Sequence, residues 1–294
     1  MAGEILCVGE VLWDALPDGL FLGGAAFNVA CHLHALGEPV RFASRVGDDE
    51  LGREIRRRME RAGLATDLVQ TDPDLETGFV AVRLDARGSP TFEILAPSAW
   101  DRIEAAPALL DAARSAKALV LGSLAQRDAA SRETIRRLLA LDLKRVFDVN
   151  LRPPFDRREV VLECLARAHV LKLNDGEWAT VCDWLGMPAD LPRGAENLSA
   201  RFGLETLGMT RGAAGAALWH RGRLVEHPGF QVETVDAVGA GDSFLAALIA
   251  GLLRGRDPSI VLDEANALGA YVASHRGATP VHDPRAIERI RRGR

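Results

Sequence analysis

The stretch Thr234-Val-Asp-Ala-Val-Gly-Ala-Gly-Asp-Ser-Phe-Leu-Ala-Ala-Leu-Ile-Ala-Gly-Leu-Leu253 carries the most chemistry of any segment in the chain. A Gly239-Ala240-Gly241 turn runs directly into an apolar helix, which leaves several main-chain N–H groups without an intrahelical acceptor. Those donors and the helix dipole together make a site for an anion, phosphate above all. Asp242 stands at the mouth of that site. It reads two ways. As a helix cap it only closes the turn. As a carboxylate beside a phosphate hole it takes the proton from an attacking hydroxyl while the N–H groups hold the developing charge.

Other polar residues stand where a site can form. Asp14, just after a first strand and before a glycine turn, can accept two hydroxyl donors or simply initiate the turn. Gly23 and Gly24 form a turn, and without a Cβ they also admit a ligand close to the main chain. Asn28 is a poor helix former in the first turns of a helix, which suggests a polar task. Asn174-Asp-Gly-Glu177 has the spacing of a capping box at a helix start. Thr210-Arg-Gly212-Ala-Ala-Gly215 is, on its own, a hairpin turn, and Asp148-Val-Asn150-Leu-Arg152-Pro-Pro a strand end closed by prolines.

What is missing narrows the chemistry. The first strand, Ile5-Leu-Cys-Val-Gly-Glu10, never develops Gly-x-Gly-x-x-Gly, so a dinucleotide site there is not expected. There is no Gly-Lys dipeptide and hence no Walker A loop, no His-Glu-x-x-His and no Gly-x-Ser-x-Gly elbow. His32 and His34 on one helix point their rings in different directions and read as structural or surface groups rather than metal ligands. Cys7, Cys31, Cys164 and Cys182 show no Cys-x-x-Cys pairing and read as packing thiols of a reducing compartment. The formal net charge of -5 over 294 residues offers no basic field for nucleic acid or an anionic membrane. No apolar run reaches the roughly 18 to 20 residues needed to span a bilayer. The first residues lack the pattern of a secretory signal, and a cytoplasmic location is expected.

The elements that must position these residues follow from apolar patterning. Runs at 5–9, 40–44, 118–122, 145–149, 170–173 and 206–210 fit strands covered on both faces. Amphipathic helices are predicted at 25–36, 49–62, 129–141 and 160–168. Such alternation predicts an α/β fold, a largely parallel sheet sandwiched by helices. Beyond about residue 204 the pattern changes to strands at 206–210, 214–220 and 223–226, then long helices near 241–253 and 258–275. Segments 11–22 and 77–97 break the alternation. The second reads as a hairpin, 78–84 with 91–95, turning at Ala86-Arg87-Gly88-Ser89-Pro90. Strands without a covering helix need shelter, which a small β lid over a pocket or a homodimer contact supplies. A single domain over 1–294 with the lid segments inserted is expected.

Residues 236–253 resemble the C-terminal signature of the ribokinase-like (PfkB) carbohydrate kinases, Asp-x-x-Gly-Ala-Gly-Asp-x-Phe. The N-terminal signature is similar too: Gly23-Gly24-Ala-Ala-Phe-Asn28-Val-Ala, then Leu36-Gly37 and Arg45-Val46-Gly47-Asp48-Asp49-x-Leu51-Gly52. The resemblance implies a ribokinase-like three-layer α/β/α fold, with a mostly parallel central sheet and a β-strand lid. It also implies ATP-dependent phosphorylation of a sugar hydroxyl, with ATP and Mg2+ required. Asp242 then matches the catalytic base and Gly239, Ala240 and Gly241 the anion hole. Asp14, Gly23, Gly24 and Asn28 fall where the family holds sugar hydroxyls. Asn174 and Glu177 match its Asn-x-x-Glu, linked to magnesium and phosphate through water, and Thr210, Gly212 and Gly215 a turn beside the nucleotide. Asn266 and the loop after Ser274 resemble the adenine-side wall. Asp236 and Val238, with the loop 275–278, resemble the monovalent-cation (K+) site of many relatives.

Within the family, Asp148-x-Asn150-x-Arg152 and Pro-Ser-Ala-Trp100-Asp101 resemble fructokinases more than ribokinases, and the ribokinase Lys is replaced in Gly-Gly-Ala-Ala-Phe-Asn. The expectation is a fructokinase making fructose 6-phosphate. A 2-keto-3-deoxygluconate kinase is the alternative, in which Arg152 meets a sugar-acid carboxylate rather than the transferred phosphate. A sugar-binding regulatory protein without turnover is the alternative from another class, and the intact Asp242 and glycine turn argue against it.

Overall fold

The computed structural model describes residues 3–16, 19–84 and 90–293. Its order begins β1 (Ile5–Val8), β2 (Leu12–Leu16), β3 (Gly19–Gly23), α1 (Ala25–Ala35), β4 (Val40–Gly47), α2 (Glu50–Arg61) and β5 (Val69–Asp72). There follow β6 (Gly78–Leu84), β7 (Pro90–Ile94), α3 (Pro107–Ser115), β8 (Ala118–Gly122), α4 (Ala129–Leu139), β9 (Lys144–Asp148) and α5 (Arg158–Leu165). The chain continues through β10 (Val170–Asn174), α6 (Asp175–Leu185), α7 (Leu191–Phe202), β11 (Thr206–Thr210), β12 (Ala216–His220) and β13 (Arg223–His227). It ends with α8 (Ala240–Leu253), α9 (Pro258–Ala273) and α10 (Pro284–Arg291).

One nine-stranded sheet runs in the order β13-β12-β11-β10-β9-β8-β1-β4-β5, parallel except where β12 and β13 turn back. Alternate side chains of each central strand feed separate cores. Leu6 and Val8 of β1 pack on one face with α3 to α7, and Ile5 and Cys7 on the other with α1, α2, α8 and α9. The same alternation divides Leu119 and Leu121 of β8 from Ala118 and Val120. A strand buried on both faces has no polar positions, so it reads as a continuous apolar run. The result is the ribokinase-like three-layer arrangement.

The chain winds outward from β1 in both directions, through β4 to β5 and through β8 to β11. β1 is therefore the point where strand order reverses, and open α/β sheets bind ligands at the carboxyl ends of strands beside such a point. A second, four-stranded sheet, β3-β2-β6-β7, leaves the chain at that end. β2 pairs β3 antiparallel and β6 parallel, and β6 pairs β7 as the hairpin expected from the sequence. The turns expected at 17–18 and 86–89 lie outside the described residues.

Some boundaries differ from the sequence reading. Ala214 belongs to a 3-10 turn, Gly212–Ala214, rather than to the following strand, because the glycines on either side close the chain tightly. α8 begins one residue earlier than expected, at Ala240. Strand β4 runs on to Gly47, because its second half pairs with β5.

Candidate active site

A cleft of about 1320 Å³ lies between the carboxyl edge of the large sheet and the four-stranded sheet. Single-ligand pockets usually measure ~300–1,000 Å³, so this one has room for two bound molecules. Among the residues lining it are Asp14, Gly24, Asn28, Arg152, Asn174, Thr210, Gly212, Gly215, Asp236, Val238, Gly239, Ala240, Gly241, Asp242 and Asn266. Two of the residues expected at the site, Gly23 and Glu177, stand behind that lining rather than in it.

At the cleft floor, Gly239 caps α8 in a left-handed conformation, φ 81°. A Cβ there would meet the Ala278 carbonyl oxygen at 2.3 Å, so glycine is required on both counts. The turn is held from behind by the segment after α9. Val235 and Asp236 N–H groups donate to the Ala273 carbonyl, and the Asp236 carboxylate accepts from the Val238 and Gly277 N–H groups. Asp242, in the first turn of α8, is 8% exposed. Its Oδ2 accepts from Asn28 Nδ2 at 2.8 Å, which joins two residues 214 positions apart. Burial pushes the Asp242 carboxyl above its ordinary value, and Lys172, Asn28 and Arg152 oppose that push. A carboxylate made more proton-seeking, next to a row of N–H donors, is suited to take a hydroxyl proton.

Asp14 comes from β2, paired across to Phe21 of β3. Burial lifts its carboxyl to about 6, against the attraction of Arg152. Gly23 supports it at close quarters: a Cβ on Gly23 would lie 2.4 Å from Asp14 Oδ2. Asn28 is in the first turn of α1, its N–H bonded to the Gly24 carbonyl. Arg152, after β9, donates to the Leu151 carbonyl and turns its charge toward Asp14 and Asp242.

The sequence reading gave no site role to three buried charges here, although it noted Asp148 in the Asp148-x-Asn150-x-Arg152 motif. Lys172 and Asp148 face each other across β10 and β9 with Nζ to Oδ1 at 3.0 Å, both nearly inaccessible. Burial alone would drive the Lys172 ammonium toward neutrality, but Asp148, Asp242 and Glu177 together hold its pKa above the ordinary value. A Cβ on Gly241 would meet Lys172 Nζ at 3.0 Å, so a fixed positive charge sits against the glycine turn. Glu10, 2% exposed, accepts the Ala25 N–H with Oε1, and its carboxyl is pushed up by burial. No local pattern marks Lys172 or Glu10.

Toward the other end of the cleft, Asn174 and Glu177 form the capping box of α6, each side chain bonding the other's N–H at 2.8 Å. The second Glu177 oxygen accepts the Leu151 N–H, tying the segment that carries Arg152 to α6. Thr210 ends β11, and the Gly212 to Gly215 turn leads into the antiparallel β12. Asn266, on α9, donates Nδ2 to the Leu262 carbonyl, and with Gly269, Ala270 and Ala273 it walls the cleft with small groups. Among the described residues, no group of three or more His, Cys, Asp and Glu is placed to hold a metal ion, and no helix is long and apolar enough to cross a membrane.

The arrangement brings a glycine turn at a helix start, the buried Asp242 carboxyl, the buried Lys172 ammonium and the Arg152 guanidinium into one cleft with Asp14 and Asn28. The model of a family described as "pfkB family carbohydrate kinase" matches residues 18–284. A fructokinase from Klebsiella pneumoniae is 32% identical over 95% of both chains. A 2-dehydro-3-deoxygalactonokinase from Haloferax volcanii is 28% identical over 97% of this chain and 92% of its own. Among solved structures, fructokinase with bound ATP from Xylella fastidiosa superposes with a TM-score of 0.85 at 24% identity, covering 99% of this chain and 98% of that one.

Proposed function

The chain belongs to the pfkB family of carbohydrate kinases and is an ATP-dependent sugar kinase; we propose that its acceptor is D-fructose, phosphorylated to fructose 6-phosphate. The observation that carries the catalytic part is the buried Asp242 carboxylate, fixed by Asn28 at 2.8 Å beside the Gly239-Ala240-Gly241 turn. In this reading Asp242 removes the proton from the sugar hydroxyl as its oxygen attacks the terminal phosphorus. The phosphorus–oxygen bond to ADP breaks on the opposite side. The N–H groups of the turn and the Lys172 ammonium hold the charge that develops on the phosphoryl oxygens, and positioning supplies most of the rest.

Asp14, Gly24 and Asn28 bind sugar hydroxyls, with Gly23 backing Asp14, while Thr210, Gly212, Gly215 and Asn266 line the nucleotide half. Asn174 would meet the magnesium of Mg-ATP through water, with Glu177 holding it in place from behind the lining, and the ion's charge would offset that of the phosphates. Asp236, Val238 and the loop 275–278 would hold a monovalent cation, K+. The Asp236 carboxylate, by accepting the Val238 and Gly277 N–H groups, joins the two loops whose remaining oxygens would meet such an ion, and the ion would add positive charge behind the turn. The four-stranded sheet serves as a lid over the sugar, and its edge strands β3 and β7 as the contact with a second copy.

Fructose is favoured by the 32% identity to the Klebsiella pneumoniae fructokinase and by the missing lysine in Gly-Gly-Ala-Ala-Phe-Asn28. A 2-keto-3-deoxy sugar acid is the second reading, favoured by the Haloferax volcanii relative and by the Arg152 guanidinium in the cleft. The test is ADP release with Mg-ATP across fructose, 2-keto-3-deoxygluconate, ribose, glucose and adenosine. Preference for fructose, with Arg152→Met lowering kcat more than it raises the sugar KM, supports the first reading. Preference for the sugar acid, with Arg152→Met acting chiefly on KM, supports the second.

A further inference from the structure

His32 lies on the inner face of α1, 1% exposed, and takes no part in the chemistry above. Its Nε2 is 2.9 Å from the Ala278 carbonyl oxygen, and its Nδ1 is 2.9 Å from His282 Nε2. A carbonyl only accepts, so Nε2 must carry the proton. A neutral His32 then has a bare Nδ1, and His282 must donate to it through its own Nε2–H. One carbonyl thus assigns the tautomers of both rings. Burial depresses both imidazoles to about 4, which keeps the pair neutral near pH 7.

The bonded carbonyl occupies a sensitive place. Ala278 is the residue whose main chain fills the space where Gly239 would carry a Cβ. On one side of Ala278, the Gly277 N–H is held by Asp236. On the other, the Val281 carbonyl accepts from the Tyr271 hydroxyl at 2.7 Å. Phe21 of β3 also reaches this loop, 3.5 Å from the position a Gly277 Cβ would take. The loop therefore touches the glycine turn, the second sheet and α9, and its buried tether to α1 is His32.

We propose that His32 and His282 are positioning residues of the kinase reaction: their two hydrogen bonds fix Ala278 against Gly239 and so hold the N–H donors of the anion hole in register with Asp242. α1 thereby braces both halves of the reaction, Asn28 steadying the base and His32, one turn on, steadying the turn beside it. The proposal rests on the kinase reading above.

The test compares His32→Leu, which fills the volume but cannot donate, with His32→Gln, whose amide can both donate to Ala278 and accept from His282. Steady-state turnover is measured well below the melting temperature, and hydrogen exchange of the 276–282 amides is followed in the ligand-free protein. The expectation for His32→Leu is a fall in kcat of about tenfold to a hundredfold, the scale of one unmet buried hydrogen bond. Its sugar KM stays within about threefold and exchange at 276–282 quickens, and His32→Gln restores most of both. A His32→Leu enzyme with wild-type kcat overturns the proposal, as does an equal loss in both variants with unchanged exchange. Should His32→Leu fail to fold, His282→Ala carries the test: faster loop exchange with lower kcat supports the brace, and wild-type values refute it. Quickened exchange in variants of a wild-type protein that releases no ADP with any sugar overturns the kinase reading, and with it the catalytic role of the brace.

Discussion

Replacing Asp242 by Asn separates what the carboxylate does for catalysis from what it costs the fold. The substitution preserves shape, and the amide oxygen can keep the hydrogen bond from Asn28 that Oδ2 accepts at 2.8 Å. It creates no unpaired cation, because Lys172 retains Asp148 at 3.0 Å. Loss of a general base typically costs about 10²- to 10⁴-fold in rate, roughly 2.7 to 5.4 kcal/mol in the barrier. The effect on stability runs the other way. Burial raises the folded pKa of Asp242 above its unfolded value, so the group favours folding below the unfolded pKa and loses that contribution as pH rises through the folded one. At neutral pH the ionised form is therefore a liability, and Asp242→Asn is expected to melt no lower than the wild type. Binding of Mg-ATP is expected to hold or tighten, since a negative charge beside the phosphates is gone. Coupled ADP release, calorimetric titration with Mg-ATP and thermal unfolding test these three outcomes. Turnover within tenfold of wild type refutes the base assignment, and a melting temperature several degrees lower refutes the account of a strained buried charge.

Three further outcomes follow from the same geometry. Gly23→Ala drives a methyl into Asp14 Oδ2, which would lie 2.4 Å away, so the sugar KM should rise more than about tenfold while the ATP KM is unchanged; a normal sugar KM would show that Asp14 does not touch the sugar. Because Asp14 titrates at about 6, kcat/KM for the sugar should climb from pH 5 to pH 7, whereas stability from this group falls between about 4 and about 6 as the folded state gives up its extra proton; Asp14→Asn should flatten both profiles. Arg127 makes a buried, two-pronged ion pair with Asp101, bonds the Leu95 carbonyl after β7 and stacks on Trp100 at 3.8 Å, so Arg127→Met should lower unfolding free energy in urea by about 3–5 kcal/mol, and a loss under 1 kcal/mol would contradict its anchoring role.

What could be read from the chain was whatever has a local signature. β8 and β11 coincide with their predicted apolar runs because both faces of each strand are buried. The hairpin of β6 and β7 was legible from two alternating runs around a turn, although that turn lies outside the described residues. β5 was missed: it is four residues long, with Gln70 and Thr71 at a sheet edge, and pairing with β4 alone makes it a strand. α10 was missed as well, an Arg-rich segment with no fully buried residue. The site divides along the same line. Residues 239–242 are adjacent in sequence, so glycine spacing announced them. Lys172 and Asp148 meet only because β9 and β10 pair in one register, and the His32 contact with Ala278 spans 246 positions. Bonds of that reach leave no trace in a window of neighbouring residues.

The parts contributed by different stretches of the chain have a consequence for how such a protein can diversify. In the proposed reading the sugar-facing Asp14, Gly24 and Asn28 fall within the first 28 residues, whereas the phosphate turn opens α8 and Asn266 of the nucleotide half lies on α9, two largely buried helices packed against each other. Substitutions in the first region can reshape the sugar compartment without disturbing that packing. Substitutions in the second must satisfy a core as well as a ligand. New acceptor preferences should therefore accumulate in the N-terminal third, and a library randomised there should yield altered substrates while keeping the same phosphate donor.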